Sequence, residues 1–93
     1  MIYELAFLDD ALEEWRKLDG NIREQFKKKL GERINDPRVL SAKLRGHPDR
    51  YKIKLRSIGY RLVYEVRERQ LVVVVVAVGK RERNAVYKAA ARR

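Results

Sequence analysis

The segment YKIKLRSIGYRLVYEV, residues 51–66, alternates polar and apolar side chains around a Ser-Ile-Gly turn. Alternation with a period of two is typical of β-strands, and two such runs joined by a short glycine-containing turn predict a β-hairpin. Strands are therefore expected at about 51–56 and 60–67. One face of the first strand carries only cations, which are Lys52, Lys54 and Arg56.

A short strand and a helix are predicted at the start of the chain. Residues 2–7 form a brief apolar run that indicates the strand. Asp9 or Asp10 is expected to cap a helix that continues to about Leu18. The apolar side of this helix is formed by Leu8, Leu12 and Trp15.

A second helix is predicted directly after the first. Asn21 is expected to be its N-cap, with Glu24 completing a capping box, and the Asn-Asp-Pro sequence at 35–37 ends it. Because only a tight turn separates the two helices, they are expected to form a helical hairpin. The apolar residues of the second helix recur every four positions, at Ile22, Phe26, Leu30 and Ile34.

The segment LVVVVVAV, residues 71–78, is apolar throughout and predicts a central strand covered on both faces. Gly79 is expected to end it, and a loop then leads to a C-terminal helix with Val86, Ala89 and Ala90 on its apolar side. The resulting order is β-α-α-β-β-β-α. We expect residues 1–93 to form one α+β domain, with a twisted, mostly antiparallel sheet and the helical hairpin on one face.

Charge is distributed unevenly along the chain, whose formal net charge is +10. Residues 1–42 hold 8 basic and 9 acidic side chains, whereas residues 43–93 hold 15 basic and 4 acidic ones, so their net charges are −1 and +11. Clustered Lys and Arg attract phosphates. We therefore expect the second part to bind nucleic acid, in preference to a membrane surface, because its cations lie on strands rather than on an amphipathic helix.

Several kinds of site lack the residues they require. The chain has no cysteine, which excludes disulfides and thiolate chemistry. His47, the one histidine, lies between Gly46 and Pro48, where a loop role is favoured over a catalytic one. Carboxylates do not cluster outside the helical first half, so neither a metal nor another cofactor is expected. The N-terminus lacks the basic region of a signal peptide, and a cytoplasmic location is expected.

Other cations are expected to join those of the first strand. Arg61 follows the hairpin turn, and like charges two residues apart on a strand lower the pKa of a lysine between them. A solvated strand edge that discourages aggregation is the alternative. No acid compensates the cations between Tyr51 and Tyr64, however, which favours a binding face. The loop after the last strand adds Lys80, Arg81 and Arg83.

Lysine, arginine and tyrosine can together cleave RNA without histidine or metal. Attack by the 2′-hydroxyl needs a base, an acid for the leaving 5′-oxygen and positive charge around the phosphate. Tyr87 either turns its phenol towards the cations or packs where helix and sheet meet. Arg45 either contacts phosphate or forms a loop salt bridge. The further candidates for contact with RNA or the ribosome are Arg56, Lys80, Arg83, Lys27 and Lys28.

Three segments resemble the RelE family of bacterial toxins. They are EEWRKL at 13–18, KLRGHPDRYKIKLRSIGYRLVYEV at 43–66 and VGKRERNAVYKAA at 78–90. The resemblance covers essentially the whole chain and implies a small cytoplasmic toxin with a RelE-like, microbial ribonuclease-type fold. Such a toxin enters the ribosomal A site and cuts messenger RNA by 2′-hydroxyl attack.

The resemblance also implies residue roles. Lys54 and Tyr87 are associated with activating the nucleophile. Arg61 and Arg81 hold the phosphate, with Arg81 also a candidate for the leaving-group acid, and Lys52 supports the positive field and shares the acid role. Relatives that act as more conventional ribonucleases use a glutamate and a histidine near the C-terminus; the segment KRERNAVYK has no histidine, which favours the RelE type.

The partners implied by the resemblance are a RelB-type antitoxin, the 70S ribosome with its messenger and 16S ribosomal RNA, and operator DNA bound through the antitoxin complex. In relatives the antitoxin displaces the C-terminal helix. Two other functions stay open at this point. One is a non-catalytic nucleic-acid-binding module, and the other is a ParE-type toxin, which has the same fold and poisons DNA gyrase.

Overall fold

The chain folds as a four-stranded sheet with helices on both faces. A computed structural model describes residues 2–93, and it confirms the predicted order and the α+β class. No helix in that range is long and apolar enough to cross a membrane. The elements are β1 Glu4–Phe7, α1 Asp9–Arg16, α2 Gly20–Arg33, β2 Arg50–Leu55, β3 Tyr60–Arg67, β4 Val72–Lys80 and α3 Ala85–Arg92.

The predicted hairpin forms one edge of the sheet, as β2 and β3. The strand order is β1-β4-β3-β2; β2, β3 and β4 are antiparallel neighbours, whereas β1 pairs with β4 in parallel. Within the hairpin Tyr51 lies opposite Tyr64, and Lys54 lies opposite Arg61. Residues directly opposite each other project from the same face, so the register brings these two cations together.

Strand β4 is central, as its apolar run predicts. Every residue from Val73 to Val78 is buried, because strands flank β4 on both sides and helices cover both of its faces. The pairing with β3 shifts between Val63 and Tyr64, which leaves Val76 as the extra residue of a β-bulge. Val76 and its neighbour Ala77 therefore both belong to the apolar cluster under α3.

Two apolar clusters lie on opposite faces of the sheet. On one face α1 and α2 contribute Trp15 and Phe26, which pack with Ile53 and Tyr64 of the hairpin. On the other face α3 packs Val86 and Ala90 against Val63, Val76 and Ala77. Since side chains alternate along a strand, Arg61 lies on the same face as Val63. The cations of β2 and β3 thus share their face with α3.

The helix starts differ from those predicted. Residue Leu8 precedes α1, and Asp9 and Asp10 lie inside its first turn without a side-chain cap bond. Their carboxylates still suit that position, because the helix N-terminus carries partial positive charge. The capping box proposed for α2 is wrong: Asp19 is the N-cap, and no side-chain cap bond forms. Glu24 instead pairs with Lys27 at 3.5 Å.

Two further boundaries were predicted imperfectly. Helix α1 ends at Arg16, two residues before Leu18, although the amide of Leu18 still donates to the carbonyl of Trp15. Strand β4 continues through Gly79 to Lys80, because Lys80 pairs with Tyr60 of β3. A glycine without a positive φ does not stop a strand whose neighbour offers further pairing.

Candidate active site

The hairpin turn and the loop after β4 are held together by one backbone hydrogen bond. Gly59 closes the turn with φ of +72°, a conformation that favours glycine. Its carbonyl accepts from the amide of Arg81 at 2.7 Å. This bond brings Arg81 to the end of the hairpin where Lys54 and Arg61 face each other.

Four cations consequently line one cleft, with a volume of about 330 Å³. No carboxylate lines it. Lys54, Arg61 and Arg81, which the sequence predicts to surround one phosphate, therefore lie together on one surface. The fourth residue is Arg56, which begins the hairpin turn and was predicted only to bind RNA or the ribosome. A cleft of this composition suits a phosphate group, because all four side chains are positively charged and can donate N–H hydrogen bonds to phosphate oxygens.

Arg61 is the most unusual member of the cleft. It is buried, at 6% exposure, and is the one buried charged residue in the part of the chain that the structure describes. The Nη1 of Arg61 donates to the carbonyl of the preceding residue, Tyr60, at 2.9 Å. No carboxylate within residues 2–93 pairs with it. A buried cation without a counter-ion is unfavourable unless a ligand supplies the opposite charge, so the site is built to receive an anion.

The charges of the cleft change the acidity of Lys54. The ammonium of Lys52 is the main cause that lowers the pKa of Lys54, followed by partial burial and then by Arg56, Arg61 and Arg81. This agrees in direction with the repulsion expected from the sequence. A lower pKa increases the share of neutral amine near neutral pH, which is the form that can accept a proton.

Lys52 lies beside the cleft rather than in it. It projects from the same face of β2 as Lys54 and lines a neighbouring depression together with that residue. Lys54 lines the cleft itself, and Lys52 does not. Its charge nevertheless acts on the cleft, because it is the main cause that lowers the pKa of Lys54.

Tyr87 is not part of the cleft in this structure. It lines a separate cavity of about 250 Å³ under α3, shared with Arg45, His47 and Arg50 among others. The ring packs against the apolar cluster under α3, so the packing alternative describes its position here. Its Oη is buried and has no hydrogen-bond partner among residues 2–93.

The remaining predicted contact residues are dispersed. Arg45 lines the cavity of Tyr87 and forms no salt bridge with residues 2–93. Lys80 and Arg83 are exposed next to Arg81, outside the cleft. Lys27 and Lys28 lie on the outer side of α2, which packs on the opposite face of the sheet, and they line a depression of their own. The structure does not bring these two lysines to the cleft.

His47 has the loop role that its neighbours suggested. Its Nδ1 accepts from the amide of Asp49 at 3.1 Å, and its Nε2 lies 3.7 Å from a carboxylate oxygen of Glu65. The first contact lies within the connector between α2 and β2, and the second joins that connector to β3 of the hairpin. Neither ring nitrogen faces the cleft.

Two arginines near the site were not predicted. Arg33, in the last turn of α2, lines the depression beside Lys52 and Lys54. Arg50 binds the carbonyl of Ala90 at 2.6 Å and pairs with Glu65 at 3.0 Å, so it connects β2 to α3. Arg50 lies two residues before Lys52, so the alternation of the strand places both on the same face, and this pattern was present in the sequence. The position of Arg33 depends on how α2 crosses the sheet, which no local pattern reveals.

The fold and the site define a small α+β protein that presents a cationic cleft, lined by no carboxylate, on one face of its sheet. Its family follows from comparison with known proteins. The family model "ParE toxin of type II toxin-antitoxin system" matches residues 5–85. The chain belongs to the RelE/ParE family of type II toxins.

Individual relatives narrow the position within the family. The mRNA interferase toxin RelE of Escherichia coli K12 is 58% identical over 93 residues, which are 100% of this chain and 98% of the relative. The mRNA interferase RelE of Shigella flexneri is equally similar, with the same coverage. The match over the full length confirms the resemblance that the three sequence segments indicated.

Solved structures agree with the fold. A doubly substituted E. coli RelE in the free state superposes with a TM-score of 0.91 at 55% identity, covering 99% of this chain and 97% of that one. RelE in the intact E. coli RelBE toxin–antitoxin complex gives a TM-score of 0.83 at 59% identity, covering 87% and 99%. The RelE-like fold is therefore confirmed.

Proposed function

We propose that this chain is the toxin of a type II toxin–antitoxin system and that it inhibits translation by cutting messenger RNA in the ribosomal A site. The observation that carries the proposal is the cleft of Lys54, Arg56, Arg61 and Arg81, which no carboxylate lines. The E. coli relative, at 58% identity, is named an mRNA interferase. We assign the corresponding activity to this chain on the strength of both.

The proposed reaction is an internal phosphoryl transfer. The 2′-oxygen of one ribose attacks the adjacent phosphorus and forms a new P–O bond, while the bond from phosphorus to the 5′-oxygen of the next nucleotide breaks. The 2′-hydroxyl loses its proton to a base, and the departing 5′-oxygen gains one from an acid. The products are a 2′,3′-cyclic phosphate and a free 5′-hydroxyl, so no water, metal or other reactant is consumed.

The cleft supplies most of what this reaction requires. Lys54, whose pKa is lowered by its neighbours, is our candidate for the base. Arg61 and Arg81 are assigned to the non-bridging phosphate oxygens, on which charge accumulates in the transition state. Arg81 or Lys52 is the candidate acid, since Arg81 lines the cleft and Lys52 lies beside it. Arginine stays protonated at neutral pH, so any proton donated by Arg81 would have to be recovered at once.

Tyr87 needs a rearrangement to take part. Its phenol lies in the cavity under α3, away from the four cations. We propose that α3 or the Tyr87 side chain shifts when the toxin occupies the ribosome, which brings the phenol to the nucleophile. The buried, unpartnered Oη favours such a shift, because the hydroxyl gains a hydrogen bond by leaving its present position.

The ribosome is assigned as an obligatory partner. The cleft is shallow and its cations bind phosphate of any sequence, so positioning of the 2′-hydroxyl in line with the leaving oxygen must come from the messenger held in the A site. The basic second part of the chain offers further charge for contact with 16S ribosomal RNA. These partners imply the cytoplasm as the place of action.

A RelB-type antitoxin is the proposed inhibitor. Solved structures include RelE in the intact E. coli RelBE complex, and RelE bound to an antitoxin peptide. For this chain we expect an antitoxin with acidic groups near the cleft and apolar contacts on the domain. Binding of operator DNA is assigned to the antitoxin part of that complex.

Primer extension on a translating messenger tests the proposal. Wild-type toxin is expected to cut within A-site codons in the presence of EDTA at levels that leave ribosomes intact, and not to cut ribosome-free RNA. Arg81→Ala should slow single-turnover cleavage by about 100-fold or more, as loss of one transition-state donor does, while ribosome affinity falls much less. A proportional loss of rate and affinity would reduce Arg81 to a binding contact.

Gyrase poisoning is the competing function, because the matching family model is named for ParE. The same purified toxin should then be incubated with DNA gyrase and supercoiled plasmid. We expect no covalent gyrase–DNA adducts, since the cation set of the cleft suits RNA cleavage. Adducts without messenger cleavage would replace the proposed function, and ribosome binding without cuts would indicate a non-catalytic module.

A further inference from the structure

A second basic depression adjoins the cleft along β2. It has a volume of about 290 Å³ and shares Lys54 and Arg56 with the cleft, so the two hollows are continuous across these residues. No carboxylate lines either of them. The residues added by the second hollow are Arg33, Ser41, Ala42 and Lys52.

Arg33 is held in place by the sheet beneath it. Its Nη1 donates to the hydroxyl of Tyr64 at 2.9 Å and to the carbonyl of Lys52 at 3.2 Å. Its guanidinium carbon lies 5.7 Å from the centre of the Tyr64 ring. Both hydrogen bonds come from one nitrogen, and within residues 2–93 neither Nε nor Nη2 of Arg33 has an acceptor. The side chain is thus oriented in advance and keeps N–H donors for a ligand.

The chemistry of this hollow is that of a phosphate site. A guanidinium binds two oxygens of one phosphate, a serine hydroxyl donates a further hydrogen bond, and a lysine adds a point charge. Lys52 and Lys54 are separated along the strand by about 6.6 Å, the spacing of alternate residues. The hollow and the cleft are therefore close enough to hold neighbouring phosphates of one extended strand.

We infer that Arg33, Ser41 and Lys52 form a second phosphate subsite, which holds the phosphodiester next to the one that is cut. The inference rests on the proposed function, since it takes the cleft as the place of the scissile phosphate. A second fixed phosphate orients the backbone on both sides of the scissile bond, which favours the in-line arrangement of 2′-oxygen and leaving oxygen. Arg33 is then a positioning residue.

Short oligonucleotides with 2′-O-methyl riboses test the subsite without cleavage. A dinucleotide has one phosphodiester and a trinucleotide has two, and both are titrated into the free toxin at low salt with NMR detection. For the wild type we expect the second phosphodiester to increase affinity about tenfold, the worth of one charge-assisted hydrogen-bonded contact. The slope of log affinity against log salt should steepen by about 0.7.

Arg33→Gln should abolish both the tenfold gain and the steeper slope, while leaving dinucleotide affinity nearly unchanged. Arg33→Lys keeps the charge and should restore part of the gain, which separates a phosphate contact from a purely structural effect. Arg69→Gln is the matched control, because it removes one positive charge, as Arg33→Gln does. Arg69 is exposed in the turn between β3 and β4. It should retain the full gain.

The outcomes distinguish the two proposals. A gain that persists in Arg33→Gln would overturn the subsite and leave the cleft intact. The wild type could also show no gain in affinity from dinucleotide to trinucleotide, while Arg33→Gln binds ribosomes more weakly. That result would mean that Arg33 contacts a phosphate of ribosomal RNA, and it would overturn the subsite for a second phosphate of the messenger. If Arg61→Gln left dinucleotide binding unchanged, the cleft itself and the proposed function would fail.

Discussion

Arg61 shows at the scale of one residue how the site departs from an ordinary protein interior. Its neighbours in the fold are other cations, and it is buried without an acid in the described chain. The hairpin register and the bond from Arg81 to Gly59 force this arrangement, because the sheet pairing that stabilises the fold also brings the charges together. A phosphate bound in the cleft would relieve the resulting repulsion.

The lowered pKa of Lys54 leads to a prediction about pH. If its neutral amine is the base, single-turnover cleavage on saturating ribosomes rises as pH increases through that pKa. Lys52 is the main cause of the lowering, so Lys52→Gln should raise the pKa of Lys54 and move the rising limb to higher pH. Arg69→Gln should leave the limb in place. An unmoved limb in Lys52→Gln would exclude Lys54 as the titrating base.

The buried hydroxyl of Tyr87 predicts opposite effects on stability and activity. An unpaired buried hydroxyl costs about 1–3 kcal/mol, so Tyr87→Phe should increase the free energy of unfolding by about 1 kcal/mol in urea titrations. Cleavage should become slower by far more than ribosome binding weakens, because the phenol is needed after the proposed shift. A destabilised Tyr87→Phe would show that the hydroxyl is satisfied in the free protein.

Helix α3 is the element whose position depends most on tertiary contacts. It has 8 residues, begins after Asn84 in the left-handed conformation and lacks a side-chain cap bond. A helix of this length is marginal by itself in water. It is held by Val86 and Ala90 in the apolar cluster, by the bond from Arg50 to the carbonyl of Ala90, and by Arg93. Few contacts therefore need to break for α3 to move.

The attachment of Arg93 can be tested separately. Its Nη1 and Nη2 donate to the two carboxylate oxygens of Glu14 at 2.8 and 3.0 Å, which raises the pKa of Arg93, and Nη1 also donates to the carbonyl of Val76 at 2.9 Å. Glu14→Gln removes the charge and keeps an acceptor for the amide of Val78.

We expect Glu14→Gln to speed amide hydrogen exchange in α3 about fivefold, which corresponds to the loss of about 1 kcal/mol from a partly buried charged hydrogen bond. Exchange in β4 should change much less. Glu13→Gln, on the exposed side of α1, is the matched control. Equal exchange rates in both variants would show that this ion pair does not hold α3.

At the scale of the whole molecule, the larger apolar cluster and the cationic cleft lie on opposite faces of the sheet. The nearly neutral first part supplies α1 and α2, which cover one face of the sheet and bury the larger apolar cluster. The basic second part supplies the cations of the other face. One face therefore buries the larger apolar cluster, while the other face carries both the smaller cluster under α3 and the cationic cleft.

This separation predicts a strong dependence of ribosome binding on salt. If about six cations neutralise phosphates, affinity should fall roughly a thousandfold between 50 and 200 mM salt. The toxin–antitoxin complex should bind ribosomes weakly at both concentrations, because acidic groups of the antitoxin compensate the charge. Sedimentation with purified 70S ribosomes measures both. A slope near zero in the plot of log affinity against log salt would show that the toxin binds ribosomes through contacts other than those with phosphates.

The pairing of the hairpin, the central place of β4 and the helical hairpin were all determined by local sequence. Alternation with period two, an unbroken apolar run and apolar residues at every fourth position each specify which side of an element must be buried. The helix caps were predicted less well, because several polar residues near each start were suitable and packing selected among them.

The sequence by itself thus specified the order of elements, the cationic face of β2 and the basic character of the second part, since these depend on residue identity and short-range period. Only the tertiary structure placed Arg81 at the hairpin turn, set Arg33 beside Lys52, and held Tyr87 under α3. Such placements depend on where elements distant in sequence meet. Packing of side chains and hydrogen bonds between loops decide this, and neither has a local signature.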